Sequence, residues 1–343
     1  MPSARAPRHS ALHSALHSAL RNPHFVFMRH SALRNPHFAF TMSRLTIAAP
    51  ADFSLESTVV SHGWYVMPPF RWDAERGVLH RIESFEGVGA IEISIRFDSG
   101  KLVVESKRNI APLREELRTR IRRMLQLDLQ LGEFHALCGK RKSHRAVVEA
   151  KFGRLLCGST LFEDAVKIVA TTNTVWAQTV RMVTLLVEAC GEPSASGGRA
   201  FPIPAQVAAF GESELRERCR MGYRAPYVRA LAEGIVSGEL DLAEIANGAL
   251  STEELFKSYR RLPGIGPYGS AHLLAMDGRH DRIAVDTEFR AHVRRRHLRG
   301  AEASDNEMLA LYERWGRWKY MGYWSELWFD LRRKVESGGT KRK

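Results

Sequence analysis

The residues best placed to do chemistry are one aspartate and a glycine hairpin a short way upstream of it. The hairpin is Leu262-Pro-Gly-Ile-Gly-Pro-Tyr-Gly-Ser-Ala271, and Asp286 follows Tyr268 by eighteen residues in the run IAVDTEFRAHV. A helical pattern (TEELFKSYRR) enters the hairpin and another (AHLLAM) leaves it. Gly264 and Gly266 permit a tight turn, and Pro267 suits the first turn of the second helix, where no amide hydrogen is required. Unpaired backbone amides then converge on one point, which is a cradle for a phosphate. The bland reading is an ordinary connection between two helices, with the glycines as caps. Asp286 is most economically an N-cap for a helix starting at Thr287. The cap position also favours the ionised carboxylate, through the helix dipole and amide hydrogen bonds. A fixed carboxylate of that kind stabilises an oxocarbenium-like sugar and can orient or deprotonate an attacking water. The two readings of Asp286 share one geometry.

These residues need a scaffold, and the chain has material for it. From about Phe53 to Glu105 short alternating runs (AIEISIRF, KLVVES) flank the turn signal Asp98–Ser99–Gly100, which predicts a hairpin. From Pro112 helical spacing takes over, with Leu113, Leu117, Ile121, Met124 and Leu125 as an apolar stripe among arginines. Helical segments are expected at 145–156, 161–170, 174–190, 204–209, 212–219, 224–236, 241–246, 251–260, 268–276, 287–296, 305–314 and 319–335. Ser194–Pro204, rich in Gly, Ser and Pro, reads as a loop. The expected fold class is α+β, a small antiparallel-sheet domain (43–111) followed by a mostly helical one (112–336) that carries the hairpin at 262–271. Residues 1–42 are low-complexity, with HSAL in tandem from His9 to Leu20 and HSALRNPHF at His17–Phe25 and His30–Phe38. Disorder is expected there, with Met42 as the working start or a transit peptide as the alternative. Residues 337–343 form a basic tail.

Bulk properties exclude several classes. With 44% hydrophobic and 26% charged residues the chain is balanced as a globular protein, and no apolar run approaches membrane-spanning length. Cys138, Cys157, Cys190 and Cys219 form no CxxC pair, so neither a disulfide framework nor a zinc or iron–sulfur site is indicated, and a reducing cytoplasm fits. The formal charge is +13. Residues 1–42 hold five Arg and no Asp or Glu, which leaves 46 basic and 38 acidic residues, a net +8, in the remainder. The excess gathers at Arg118–Arg123, Lys140–Arg145, Arg290–Arg299 and Lys341–Lys343. Such clusters suit a polyanion, although each also serves as a solvated helix face.

LPGIGPYGSA followed by VDT resembles the helix-hairpin-helix (HhH-GPD) DNA glycosylase superfamily, which includes 8-oxoguanine glycosylase, 3-methyladenine glycosylase II and endonuclease III. LFEDAVKIVATTNTVWAQTVRMV is similar to the helical entry of the 8-oxoguanine branch, and MGYRAPYV to its GYRAxYV segment. YERWGRWKYMGYWSELW is closer to the C-terminal helix of the alkylpurine branch. The resemblance implies that Asp286 is the catalytic carboxylate and that Gly264, Ile265, Gly266 and Ser270 hold the DNA backbone. It implies that Asn173 fills the gap left by a flipped nucleotide, Tyr223 is the wedge and Arg224 meets the orphaned base. Tyr268, Tyr323, Trp324 and Leu327 are the expected base pocket, although Tyr320, Trp324 and Trp328 share the spacing of a packed face. Bifunctional members carry a lysine at position 268, and a tyrosine cannot form a Schiff base there. The expectation is a monofunctional glycosylase for an alkylated purine. The alternatives are an 8-oxoguanine-type enzyme that lost the lysine, or a non-catalytic DNA-binding module. The cysteine cluster of endonuclease III is absent. Duplex DNA carrying a damaged base is the expected partner, with no membrane, for a monomer in the cytoplasm near the nucleoid. No metal or cofactor is expected beyond a monovalent cation that the resemblance allows at the hairpin.

Overall fold

A computed structural model describes residues 42–246 and 250–339. The low-complexity segment expected over 1–42 (Met42 apart) and the last four residues of the basic tail lie outside them. Among the described residues five strands form one antiparallel sheet, β1 (Ser43–Ala48), β2 (Phe70–Asp73), β3 (Val78–Phe85), β4 (Gly89–Asp98) and β5 (Lys101–Ser106), in the order β1-β5-β4-β3-β2. The β4–β5 hairpin turns where expected, at Ser99 (φ 48°) and Gly100 (φ 80°), the paired positive φ values of a two-residue hairpin loop. The chain between β1 and β2 is not extended throughout: it holds the short helix α1 (Leu55–Val59), capped by Ser54, and a 3₁₀ turn at Gly63–Val66.

Helices follow: α2 (Arg114–Met124), α3 (Gly132–Gly139), α4 (Arg145–Glu149), α5 (Leu161–Thr171), α6 (Trp176–Cys190), α7 (Pro204–Phe210), α8 (Glu212–Glu217), α9 (Ala225–Ser237), α10 (Leu242–Ala246), α11 (Thr252–Arg260), α12 (Pro267–Met276), α13 (Thr287–Arg296), α14 (Asp305–Ala310) and α15 (Lys319–Gly339). This is the α+β arrangement, a small sheet followed by a mostly helical body. Two expected helices are corrected. The segment 145–156 is helical only to Glu149, because Lys151 (φ 49°) and Gly153 (φ 146°) take left-handed backbone. Phe152–Ser159 then runs non-helical and buried, with the Arg154 guanidinium donating to the carbonyls of Gln126 and Leu129. The segment 305–314 stops at Ala310 and resumes as a 3₁₀ stretch, Glu313–Trp318, broken by Gly316 (φ 55°). The helix α3 lacks a clear apolar stripe, and the sequence reading passed over it.

Two apolar cores hold the body together. The first runs from Leu45, Ile95 and Val104 of the sheet into α2, α5, α6, α9 and α12. The second is aromatic and joins α3, α13 and α15 through Phe134, Phe289, Tyr312, Trp315, Trp324 and Trp328. Between the sheet and α5 lies a buried charged layer. Arg81 of β3 donates to Glu163 of α5 at 2.6 Å, Lys167 donates to the other Glu163 oxygen at 2.6 Å, and Ser159 donates to Glu83 at 2.9 Å. Burial alone would raise the Glu163 carboxyl, but the facing Arg81 and Lys167 overcome it and pull the group down to about 2. The layer fixes the helix whose end leads into Thr172 and Asn173. No helix among the described residues is long and apolar enough to cross a membrane.

Candidate active site

The hairpin has the form its glycines dictate. Helix α11 closes with Leu262 N–H donating to Tyr259 O, and the turn is pinned by Ile265 N–H donating to Leu262 O at 3.0 Å. Gly264 is left-handed (φ 77°), and a Cβ there would sit 2.8 Å from Tyr227 Cβ and 3.0 Å from Val169 Cγ2, so α5 and α9 crowd it. Gly266 is exposed, and a Cβ on it would meet nothing within 4 Å. Its bareness serves no packing inside the protein, whereas a close-approaching ligand would use it. Pro267 opens α12, so the Tyr268 and Gly269 amides head the helix ahead of its first internal bond, Ser270 N–H to Gly266 O at 2.9 Å. The exposed Arg260 and Arg261 stand just before the turn. A helix N-terminus with two cations beside it suits an anion. The Gly266 carbonyl takes both Ser270 donors.

Asp286 caps α13 and is half-buried, its Oδ1 accepting the Phe289 N–H at 2.7 Å. It is neither sealed in the core nor out on a loop tip. Arg290, one turn along, is held by both oxygens of Asp305 at 2.7 and 2.8 Å. Burial first, and then the negative charge of Asp286, push the Tyr320 and Tyr323 phenols above their ordinary range, so both remain neutral O–H groups beside it. Tyr320 also ties Asp286 to the hairpin helix. Its ring lies 6.1 Å from that of His272, and His272 lies 4.4 Å from Tyr268, one turn earlier on α12. Burial brings His62 and His272 down to about 3, so both are neutral. His62 Nδ1, Trp64 Nε1 and His272 Nε2 are buried without a hydrogen-bond partner among the described residues.

A third group gathers on the surface next to the hairpin. Asn173 is exposed and left-handed (φ 45°), and its Nδ2 donates to the Tyr223 hydroxyl at 3.3 Å. Tyr223 is 48% exposed, and Tyr227, which packs on Gly264, is 44% exposed. Two large aromatic faces therefore stand in solvent between Asn173 and the hairpin. An exposed aromatic beside a phosphate cradle is suited to stacking on a base. Tyr223→Ala is expected to slow any reaction that needs an extruded base roughly tenfold or more, from a stacking loss of about 1–3 kcal/mol. The check is single-turnover kinetics, with a thermal melt that should stay close to wild type.

Several expected roles need correction. Ser270 is completely buried and its hydroxyl donates to Gly266 O at 3.0 Å, so it braces the turn from within and does not reach a phosphate. Arg224 is buried beneath the Asn173 turn, donating to the Thr172 carbonyl with its ring-facing plane 4.5 Å from Tyr223. It supports the Tyr223 ring and does not extend into solvent toward an orphaned base. Leu327 has no exposed surface and belongs to the aromatic core. Tyr323 and Trp324 are nearly as enclosed, and Trp324 Nε1 donates to Ser61 O at 3.0 Å. Ile265 is buried and anchors the hairpin by its side chain. Sequence reasoning missed Tyr227, His272 and His62. The first two had a signal in their four-residue spacing from Tyr223 and Tyr268; His62 had none.

Comparison with known proteins fits this geometry. Residues 166–317 match the family model described as HhH-GPD superfamily base excision DNA repair protein. The "Probable N-glycosylase/DNA lyase" of Methanothermobacter thermautotrophicus is 22% identical over 237 residues, covering 63% of this chain and 73% of that one. Among solved structures, the 3-methyladenine DNA glycosylase of Archaeoglobus fulgidus superposes with a TM-score of 0.69 at 20% identity, covering 83% of this chain and 98% of its own. The Clostridium acetobutylicum 8-oxoguanine glycosylase/lyase gives 0.65 at 17% identity, with 84% and 96% covered. At these identities the superpositions establish the fold.

Proposed function

We propose that this chain, whose residues 166–317 match the HhH-GPD superfamily base excision DNA repair protein model, is a DNA N-glycosylase that extrudes a damaged base and hydrolyses its glycosidic bond with Asp286. The observation that carries this reading is the position of Asp286, a half-buried cap whose neighbouring aromatic rings reach back to the helix of the phosphate cradle. The hairpin amides take a backbone phosphate, and Asn173 with Tyr223 fills the space the base leaves. As the base departs, positive charge grows on the sugar, and the carboxylate opposes it and holds the attacking water. The half-buried Tyr268 ring offers a stacking face to the extruded base.

The reaction is hydrolysis without strand cleavage. Position 268 is a tyrosine, and the buried Lys167 donates to Glu163 and cannot serve as the amine nucleophile. Borohydride added during turnover is therefore expected to trap no covalent protein–DNA adduct; a trapped band on a denaturing gel would rule this chemistry out. The substrate class is an alkylated purine. Its positive charge gains roughly 1–2 kcal/mol from each well-placed aromatic face, and its weakened pairing lowers the cost of extrusion. The test is competition among duplexes carrying 3-methyladenine, 7-methylguanine, 8-oxoguanine or uracil, with released bases separated by chromatography. Preferential release of the methylated purines supports the assignment, and preferential release of 8-oxoguanine overturns the substrate class alone.

A further inference from the structure

Behind the helix that Asp286 caps lies a second cluster of reactive side chains with no part in the proposed hydrolysis. His292 and His297, at the end of α13, and Glu326 of α15 bring two imidazole nitrogens and a carboxylate oxygen within 4.8 Å of one another. His297 Nε2 stands 2.8 Å and His292 Nε2 3.5 Å from Glu326 Oε2, while His144 Nε2 stands 3.5 Å from Oε1. Three imidazoles, drawn from two separate parts of the chain, thus turn the same ring nitrogen toward one carboxylate. His292 has no exposed surface, and His144 and Glu326 are each 3% exposed. Neither ring nitrogen of His292 nor Nε2 of His144 makes a hydrogen bond among the described residues. Buried polar nitrogens without partners are rare in folded proteins, and each calls for a reason.

We propose that His292, His297 and Glu326 bind a divalent transition-metal ion of the zinc class, with a solvent molecule completing its four donors. Neutral imidazole nitrogen and carboxylate oxygen are the ligands such an ion takes in four-coordinate sites. Bonds of about 2.0–2.1 Å in a tetrahedron place neighbouring donors roughly 3.3 Å apart. The separations of 2.8 and 3.5 Å from Glu326 Oε2 to His297 and His292 Nε2 bracket that spacing. Two carboxylates supply the negative charge. Glu326 faces the donors directly, and Asp330 takes up Arg296 through both oxygens at 2.8 Å, which limits the repulsion from a guanidinium 3.4 Å from Glu326. Arg314, 3.9 Å away, has a side chain half in solvent, where its charge is screened. The Tyr312 hydroxyl donates to Glu326 at 3.0 Å and orients it, as outer partners of metal ligands do. His297 is partly exposed and gives the ion a way in. The sequence reading missed this site because it considered only cysteine spacing. The ion would pin α13, and with it Asp286, to α15.

The test uses the full chain purified without a histidine tag. After dialysis against a weak chelator, elemental analysis is expected to find about one tightly held zinc per chain. Cobalt in its place should give the visible absorption of a four-coordinate site. His297→Ala and Glu326→Gln should each weaken zinc binding by about a hundredfold or more, read by competition with a chromophoric chelator. His80→Ala should leave it unchanged. The six histidines within residues 1–41 are common to every variant, so zinc held there survives His297→Ala and is counted apart. Should Glu326→Gln fail to fold, His297→Ala, at a partly exposed position, carries the test by itself. Absence of tight zinc on both purification and titration overturns the proposal, as does binding that neither substitution changes.

Discussion

Asp286→Asn is expected to slow base release by a factor on the order of 10³, with duplex affinity held within about twofold. The asparagine oxygen can still accept the Phe289 N–H, and Asn and Asp are equivalent caps to within a few tenths of a kcal/mol. The helix should therefore keep its N-terminus, and the loss should fall on the chemical step. What disappears is the negative charge that faces the developing cation. Removing a negative charge near phosphates cannot weaken DNA binding by simple electrostatics and would, if anything, strengthen it. Asp286→Ala gives a useful contrast. It removes the charge and the cap together, so it should add about 1 kcal/mol of destabilisation to the same kinetic loss. Single-turnover release and equilibrium binding on one duplex separate these effects. Unchanged release by the asparagine variant would remove the carboxylate from the mechanism.

At pH 5 the protein is expected to be about 6 kcal/mol less stable than at pH 7, a loss comparable with the whole stability of many domains. His62, His272 and His280 are all brought down to about 3, in each case mainly by burial, with Lys167 acting on His62, His62 on His272 and Arg317 on His280. The unfolded chain binds a proton at each of them below about 6.5, and the folded chain does not. Unfolding therefore takes up protons between 6.5 and 3. The stabilisation is complete above 6.5 and shrinks as the pH falls, by about 1.4 kcal/mol per unit for each histidine. Glu163, brought down to about 2, adds its own loss only below the ordinary range of a glutamate, so the two windows separate. Urea midpoints from pH 7.5 to 5 measure the slope. His280→Gln should reduce it by about a third, because one of three equal contributions is gone. A flat profile over this range would show that the three rings are solvated or already protonated.

Local rules made part of this molecule legible in advance. A cap residue before a helical run located Asp286, and paired glycines between two helical patterns located the tight turn at 262–266. A turn signal between alternating runs fixed the β4–β5 register. Each depends on residues close together in sequence. What escaped depends on residues far apart. The non-helical run Phe152–Ser159 has enough apolar residues to pass for a helix, but it is held by contacts from Asp52, Ser61 and Gln126 that no local pattern announces. Arg224 and Ser270 carry the right side chains for DNA contacts, yet each is turned inward onto a backbone carbonyl that only the fold supplies. His62 comes from the connection between β1 and β2 to lie by His272 of α12, and the cluster at Glu326 gathers His144, His292 and His297 across nearly two hundred residues. The aromatic stripe of α15 is readable as a stripe. Its rings mostly face one another, and this leaves the half-buried Tyr268 as the more accessible ring.

The most direct measurement follows one methylated duplex through a single turnover, counting free base and strand breaks before and after hot alkali. If a carboxylate-held water attacks the sugar, every base set free leaves one intact abasic strand that breaks only in alkali. Strand breaks that need no alkali, or a duplex that yields no free base at all, would contradict the account.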